Sequence, residues 1–263
     1  MRIWFQKHIT VGKVPALDAG YEKHAKQILR PDSEIVFHGV PKEAYEGSFP
    51  NQYVNYSFPE TMFSSYFLSR VIEAEKTGYD AFIIGTAPDA GLRDAKTLVD
   101  IPVIGYSEAS MHIACMLGSR FSYVGFVDMQ GRHVDNAKIY GLEDRIGPWG
   151  HVPVTAKVVQ DALEGRPDAF VDAFFVTARE VIATGTDVII PNEGLTNEIL
   201  YHQGIFSVDG VPIIDSNGLV FKMAELLVDM RKSSGMMASR KGYYFARPPV
   251  EMVDRLQMLF GSK

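Results

Sequence analysis

Thr86 and Glu193 stand at matched positions in two similar stretches of the chain. "GYDAFIIGTAPDAGL" (78–92) and "GTDVIIPNEGLTNEI" (185–199) both open on Gly-x-Asp, run through apolar strand-type residues and stop at a turn. Aligned without gaps, Asp80 falls on Asp187 and Thr86 on Glu193. A carboxylate at the tip of a buried strand can serve as general base, general acid or water-orienting group once desolvation raises its pKa. A threonine hydroxyl is far too weak an acid to share that work equally; its use is to donate a hydrogen bond to a substrate oxygen. His8, at the end of the first apolar run, adds a group able to shuttle a proton near neutral pH. Each residue also has a plainer reading. Glu193 can be an acidic charge at a helix N-terminus, favourable by roughly 0.3–1 kcal/mol; Thr86 can be a helix cap; His8 can be a packed histidine; Lys7 can hold an anion or be solvated.

A second echo follows each of the first. "DIPVIGYSEAS" (100–110) parallels "GVPIIDSNGLV" (210–220), pairing Pro102 with Pro212, and each ends in small polar residues that open a helix. Ser107 with Glu108, and Ser216 with Asn217, therefore lie where helix N-termini could present N–H groups to a substrate carboxylate or enolate. Capping alone also explains these residue types. Asn192, beside Glu193, can polarise a carbonyl or shape the turn.

These positions require elements that carry them to one place. Strand-type runs at 2–6, 33–40, 80–85, 101–106, 120–127, 187–190 and 211–215 alternate with helical stretches at 16–29, 60–78, 107–118, 130–140, 166–184 and 217–232. That rhythm predicts an α/β fold with parallel sheets covered by helices and with strand C-termini along one edge. The echo, at a separation of about a hundred residues, is too long for a solenoid. It predicts two Rossmann-like lobes related by a pseudo-twofold axis, with the site in the cleft between them. Residues 1–106 with 217–263 are expected to form one lobe, and 107–216 the other. The segment 41–60, rich in Pro, Gly, Asn and aromatics, reads as a lid, a packed surface loop or a subunit contact.

Composition narrows the function classes. The chain has 263 residues, 46% hydrophobic and 22% charged, with a net charge of −6, so extended contact with a nucleic-acid backbone is not expected. The single cysteine, Cys115, excludes an internal disulfide and any CxxC site. No zinc-protease motif is present, the histidines fall at no ligand spacing, and the phosphate-binding glycine fingerprints are missing, so no metal and no cofactor are expected. The opening "MRIWFQKHITVG" is too polar for a signal peptide and no apolar run reaches membrane-spanning length; the expectation is a cytoplasmic protein.

The stretch "DIPVIGYSEASMHIACMLGSRFSYVGF" (100–126), then "YGLEDRI" (140–146) and "RKGYYFARPP" (240–249), resembles the aspartate/glutamate racemase superfamily and, within it, the hydantoin and allantoin racemase branch. The resemblance runs from about residue 78 onward. It implies two lobes with a site between them, cofactor-independent proton transfer next to a carboxylate or carbonyl, a small-molecule substrate and a homo-oligomer. In that family two cysteines end the equivalent strands and work on opposite faces of the substrate; here Thr86 and Glu193 hold those positions, Asn192 being the alternative if the second loop shifts by one. The early Asn-Pro-Asn pattern is replaced by "FQKHIT" (5–10). Asp128 stands where the family often carries a substrate-binding threonine, and a carboxylate there implies a different ligand or a helix cap. A two-thiol mechanism is not available to this chain.

Three functions compete at this point. One is a thiol-free isomerase or epimerase using Glu193 on a small carboxylate, cyclic amide or carbonyl compound. Another is a decarboxylating lyase or ring-opening hydrolase on the same scaffold. The third is a small-molecule binder without catalysis.

Overall fold

The computed structural model describes residues 1–260. In chain order the first half contains β1 (Arg2–Gln6), α1 (Pro15–Ile28), β2 (Glu34–His38), α2 (Asn51–Val54), α3 (Ser57–Lys76), β3 (Ala81–Ile84), α4 (Leu92–Leu98), β4 (Val103–Gly105) and α5 (Tyr106–Leu117). The second half contains β5 (Phe121–Gly125), α6 (Gln130–Tyr140), β6 (Gly150–His151), α7 (Ala156–Leu163), α8 (Asp168–Ala183), β7 (Val188–Pro191), α9 (Gly194–His202), β8 (Ser207–Val208), β9 (Val211–Pro212), α10 (Ser216–Ser234) and α11 (Val250–Phe260).

Two parallel sheets result, one in the order β2-β1-β3-β4 and one in the order β6-β5-β7. The period of two in each strand assigns its residues to two faces. Ile3 and Phe5 of β1, with Ala81 and Ile83 of β3, pack under α1 and α10, while Trp4, Phe82 and Ile84 pack against α3. In the second sheet Ile189 joins the cluster under α8 and α9, and Val188 and Ile190 join the one under α5 and α6. Because both faces are covered, β3, β4 and β7 are apolar throughout rather than alternating.

The echo has a structural cause. Gly78 and Gly185 both take positive φ, +81° and +92°, where the chain leaves a helix for the next strand, a conformation that favours glycine. Two residues on, Asp80 accepts the backbone N–H of Arg2 at 2.7 Å, and Asp187 accepts those of Ser119 and Arg120 at 3.0 and 2.7 Å. In each sheet the aspartate thus ties down the start of the neighbouring strand, and β3 and β7 end at matched points, just before Thr86 and Glu193.

Two expectations need correction. The stretch 211–215 does not form one long strand: Asp209 and Gly210 turn the chain at positive φ, β9 pairs antiparallel with β8, and Ile213 makes a single parallel bridge to Ile189. The 41–60 segment is not all loop, since it holds α2 and α3 starts at Ser57. Among the described residues no helix is long and apolar enough to cross a membrane.

Candidate active site

The two strand tips meet at one cavity. Lys7, His8 and Ile9 after β1, Thr86 to Pro88 after β3, Val127 and Met129 after β5, and Glu193 to Leu195 after β7 line a space of about 70 Å³. Tyr21 of α1 also lines it, as do Pro50 and Val54 from the 41–60 segment.

Glu193 is 6% exposed. Its Oε1 accepts the backbone N–H of Val127 and the side-chain amide of Asn192, both at 2.6 Å, and its Oε2 accepts the Thr196 hydroxyl at 2.6 Å. Burial pushes its pKa up to about 7, against the opposing pull of those donors. Gly125 makes room for this arrangement, because a Cβ there would lie 2.4 Å from both Oε2 of Glu193 and Cβ of Asn192. Thr86 is equally buried and its Oγ1 has no hydrogen-bond partner; it caps no helix, since α4 begins only at Leu92.

His8 lies against Phe63 and Phe67, with ring centroids 4.7 and 5.2 Å away, and its Nε2 is buried without a partner. Burial depresses its pKa to about 3. That burial disfavours the charged form and weighs against the expected proton shuttle at neutral pH, while the neutral ring can still offer a hydrogen bond. Lys7, 3% exposed, is ion-paired with Asp18, and Asp18 also accepts the Gly12 N–H at 2.7 Å. The cation of this cavity is thus already matched by a carboxylate.

The remaining anticipated contacts lie away from the cavity. The N–H groups of Ser107 and Glu108 bind Asp89 at 2.9 and 2.7 Å, so the α5 N-terminus is occupied from within the chain. The Glu108 side chain turns outward to Lys96. At α10, the N–H of Asn217 goes to Asn197 Oδ1 at 2.7 Å and that of Gly218 to Asp215 at 3.1 Å; Ser216 and Asn217 are fully buried. Asp128 is exposed and accepts from Gln130 N at 3.2 Å, a turn cap. Asn192 is fully buried and spends its amide inward.

Asp89, His24 and His133 were not anticipated. Asp89 sits at φ +53° and also accepts the Tyr140 hydroxyl at 2.7 Å; the turn-forming "APDAG" was its only signal in the sequence. Among the described residues no cluster of three or more His, Cys, Asp or Glu is arranged to hold a metal ion.

The raised Glu193 pKa carries a stability consequence. Its folded value of about 7 exceeds the ordinary 4.5, so the folded chain holds this proton more tightly than the unfolded one. Between those two values stability falls as pH rises, and above about 7 this contribution is flat. Urea midpoints at about pH 5 and about pH 8 should differ less in Glu193→Gln than in the parent; an identical difference in the two proteins would contradict the assignment.

Two parallel sheets whose strand tips bring a buried carboxyl and an unpartnered hydroxyl to one small cavity define the class as a two-lobe α/β protein with an enclosed cavity at the strand tips. The chain belongs to the Asp/Glu/hydantoin racemase family, whose model, described as "Asp/Glu/Hydantoin racemase", matches residues 38–224. That match begins well before residue 78, where the resemblance in the sequence starts. The chain is 26% identical over 230 residues to the hydantoin racemase of Pseudomonas sp. (strain NS671), covering 86% of each. In fold it is similar to the allantoin racemase of Pseudomonas fluorescens, with a TM-score of 0.72 at 23% identity over 94% of this chain and 97% of that one. The allantoin racemase from Klebsiella pneumoniae gives 0.71 at 22% identity, covering 94% of both chains.

Proposed function

We propose that the chain is a cofactor-independent, isomerase-type enzyme that moves a proton on carbon next to a carbonyl of a small molecule, with Glu193 as the acid–base group. Family membership supports the isomerase class. The observation that carries the mechanism is the pair of buried, unpartnered polar atoms, Oγ1 of Thr86 and Nε2 of His8, on the same cavity as Glu193. Buried polar atoms without partners are uncommon and mark places where a ligand can complete the bonding.

In this reading the Glu193 carboxylate takes the proton from the carbon, and the C–H electron pair moves into the carbonyl. The developing oxygen charge is met by the Thr86 hydroxyl and by the His8 ring N–H, fixed donors in a site that excludes water. A proton delivered from solvent to the opposite face of that carbon, with Glu193 then losing its own to solvent, gives the epimer; a proton delivered from Glu193 to a different atom of the substrate gives the tautomer. Cys115, the one thiol, lies within α5 and takes no part. With Lys7 already paired to Asp18, the site favours a neutral carbonyl or cyclic amide over a free carboxylate.

Thr86→Val tests the oxygen-binding role. Loss of an unpartnered buried hydroxyl should leave the melting midpoint unchanged or raised, while turnover falls about 10–100-fold. Unchanged turnover would remove Thr86 from the site. The homo-oligomer belongs to the same proposal: α11 buries none of its side chains on its own chain and exposes Met252, Leu256, Leu259 and Phe260, and an isolated helix of this length is marginal in water.

A further inference from the structure

We propose that Asn192 and His133 are positioning residues which lock one oxygen of Glu193, so that the proton Glu193 exchanges is carried by the other oxygen, Oε2. The proposal deepens the acid–base reading of Glu193 and rests on it for its catalytic meaning; the lock itself is independent of turnover.

The hydrogen-bond directions follow from counting donors. Asn192 gives both amide hydrogens away, to Val127 O at 2.7 Å and to Glu193 Oε1 at 2.6 Å. Its Oδ1 can then only accept, and it lies 2.5 Å from Nε2 of His133. His133 must therefore carry its proton on Nε2. The other ring nitrogen agrees: Nδ1 is buried with no partner, and a bare lone pair there costs less than a stranded N–H.

The His133 ring is itself held, stacked on Tyr123 with centroids 3.8 Å apart and planes 1° apart. Tyr123 donates to Ser107 Oγ at 2.9 Å, and Ser107 donates to the Ala87 carbonyl at 2.5 Å. A continuous set of contacts thus runs from the residue beside Thr86 to Glu193 and holds the two strand tips in register.

The two oxygens of Glu193 are consequently unequal. Oε1 faces two donors that cannot reverse, the Val127 N–H and the Asn192 amide pinned by His133. Oε2 faces the Thr196 hydroxyl, which can donate to a carboxylate and, after rotating, accept from a carboxylic acid. A proton on Oε1 would set donor against donor; a proton on Oε2 does not.

The first test uses the full-length wild-type protein, with the imidazole nitrogens read by isotope-edited NMR. His133 is expected as the neutral Nε2–H tautomer from about pH 5.5 to about 8; the Nδ1–H tautomer or an imidazolium in that range overturns the proposal. The second test follows the Glu193 carboxyl carbon through a pH titration. In His133→Phe the Asn192 Oδ1 loses its donor and the amide is no longer pinned, so its N–H bond to Oε1 slackens and the midpoint should rise by about one pH unit or more, a tenfold change in proton affinity. His133→Gln, which can still donate, should restore it. Lys7, His8 and Tyr21 on the cavity side, and Tyr106 behind β7, are the same in both variants. An unmoved midpoint in a folded His133→Phe protein reduces His133 to packing and overturns the proposal; if that variant does not fold, the wild-type tautomer decides. Neither test needs turnover, so both remain readable if Glu193→Gln proves active.

Discussion

Glu193→Gln should keep the fold and lose about a thousandfold in turnover. Glutamine preserves the shape, its carbonyl can still accept from Val127 N and Asn192, and its amide can donate to the Thr196 hydroxyl in place of accepting from it. The ability to take a proton is what it removes. Wash-in of deuterium from heavy water over a panel of small hydantoins, lactams, malonates and enols reads the loss directly, with circular dichroism as the check on folding. Turnover that survives while ligand affinity drops would make Glu193 a binding group and end its acid–base role.

His24→Leu should cost about 3–5 kcal/mol of stability, with a melting midpoint lower by roughly 10 °C. His24 is fully buried between two carboxylates, with Nδ1 2.8 Å from Glu198 and Nε2 3.0 Å from Asp215. Burial alone would lower its pKa, but the bonds to Asp215 and Glu198 overcome that and raise it to about 9. Removing the cation leaves Glu198 buried with like charge beside it, and Asp215 is the residue whose side chain caps α10. A raised folded-state pKa gives a contribution fully present below the ordinary 6.5 and lost as pH rises through about 9. The parent should therefore lose stability across that interval by an increment that the leucine variant lacks. Equal stability of the two proteins at neutral pH would show that the charged contact is not formed.

The strand tips were legible because their signals are local: a glycine that must turn left-handed, an aspartate that ties the next strand, and an apolar run between them. Thr86 and Glu193 could be matched on that basis alone. The occupancy of the helix N-termini was not legible. Asp89 reaches Ser107 across 18 positions and Asn197 reaches Asn217 across 20, and nothing in "YSEAS" or "DSNGL" says that their N–H groups are already taken. His133 meets Asn192 across 59 positions and His24 meets Glu198 across 174; each reads alone as one more histidine in a helix. The burial of His8 is likewise long-range, since Phe63 and Phe67 reach its ring from α3.

A crystal structure with a neutral cyclic amide bound tests most directly whether one cavity does the chemistry. The expected result places the ligand carbonyl oxygen on Thr86 Oγ1 and His8 Nε2, with the adjacent carbon facing Glu193 Oε2. A ligand seated elsewhere, or one in this cavity with its carbonyl turned away from Thr86 and His8, would contradict it.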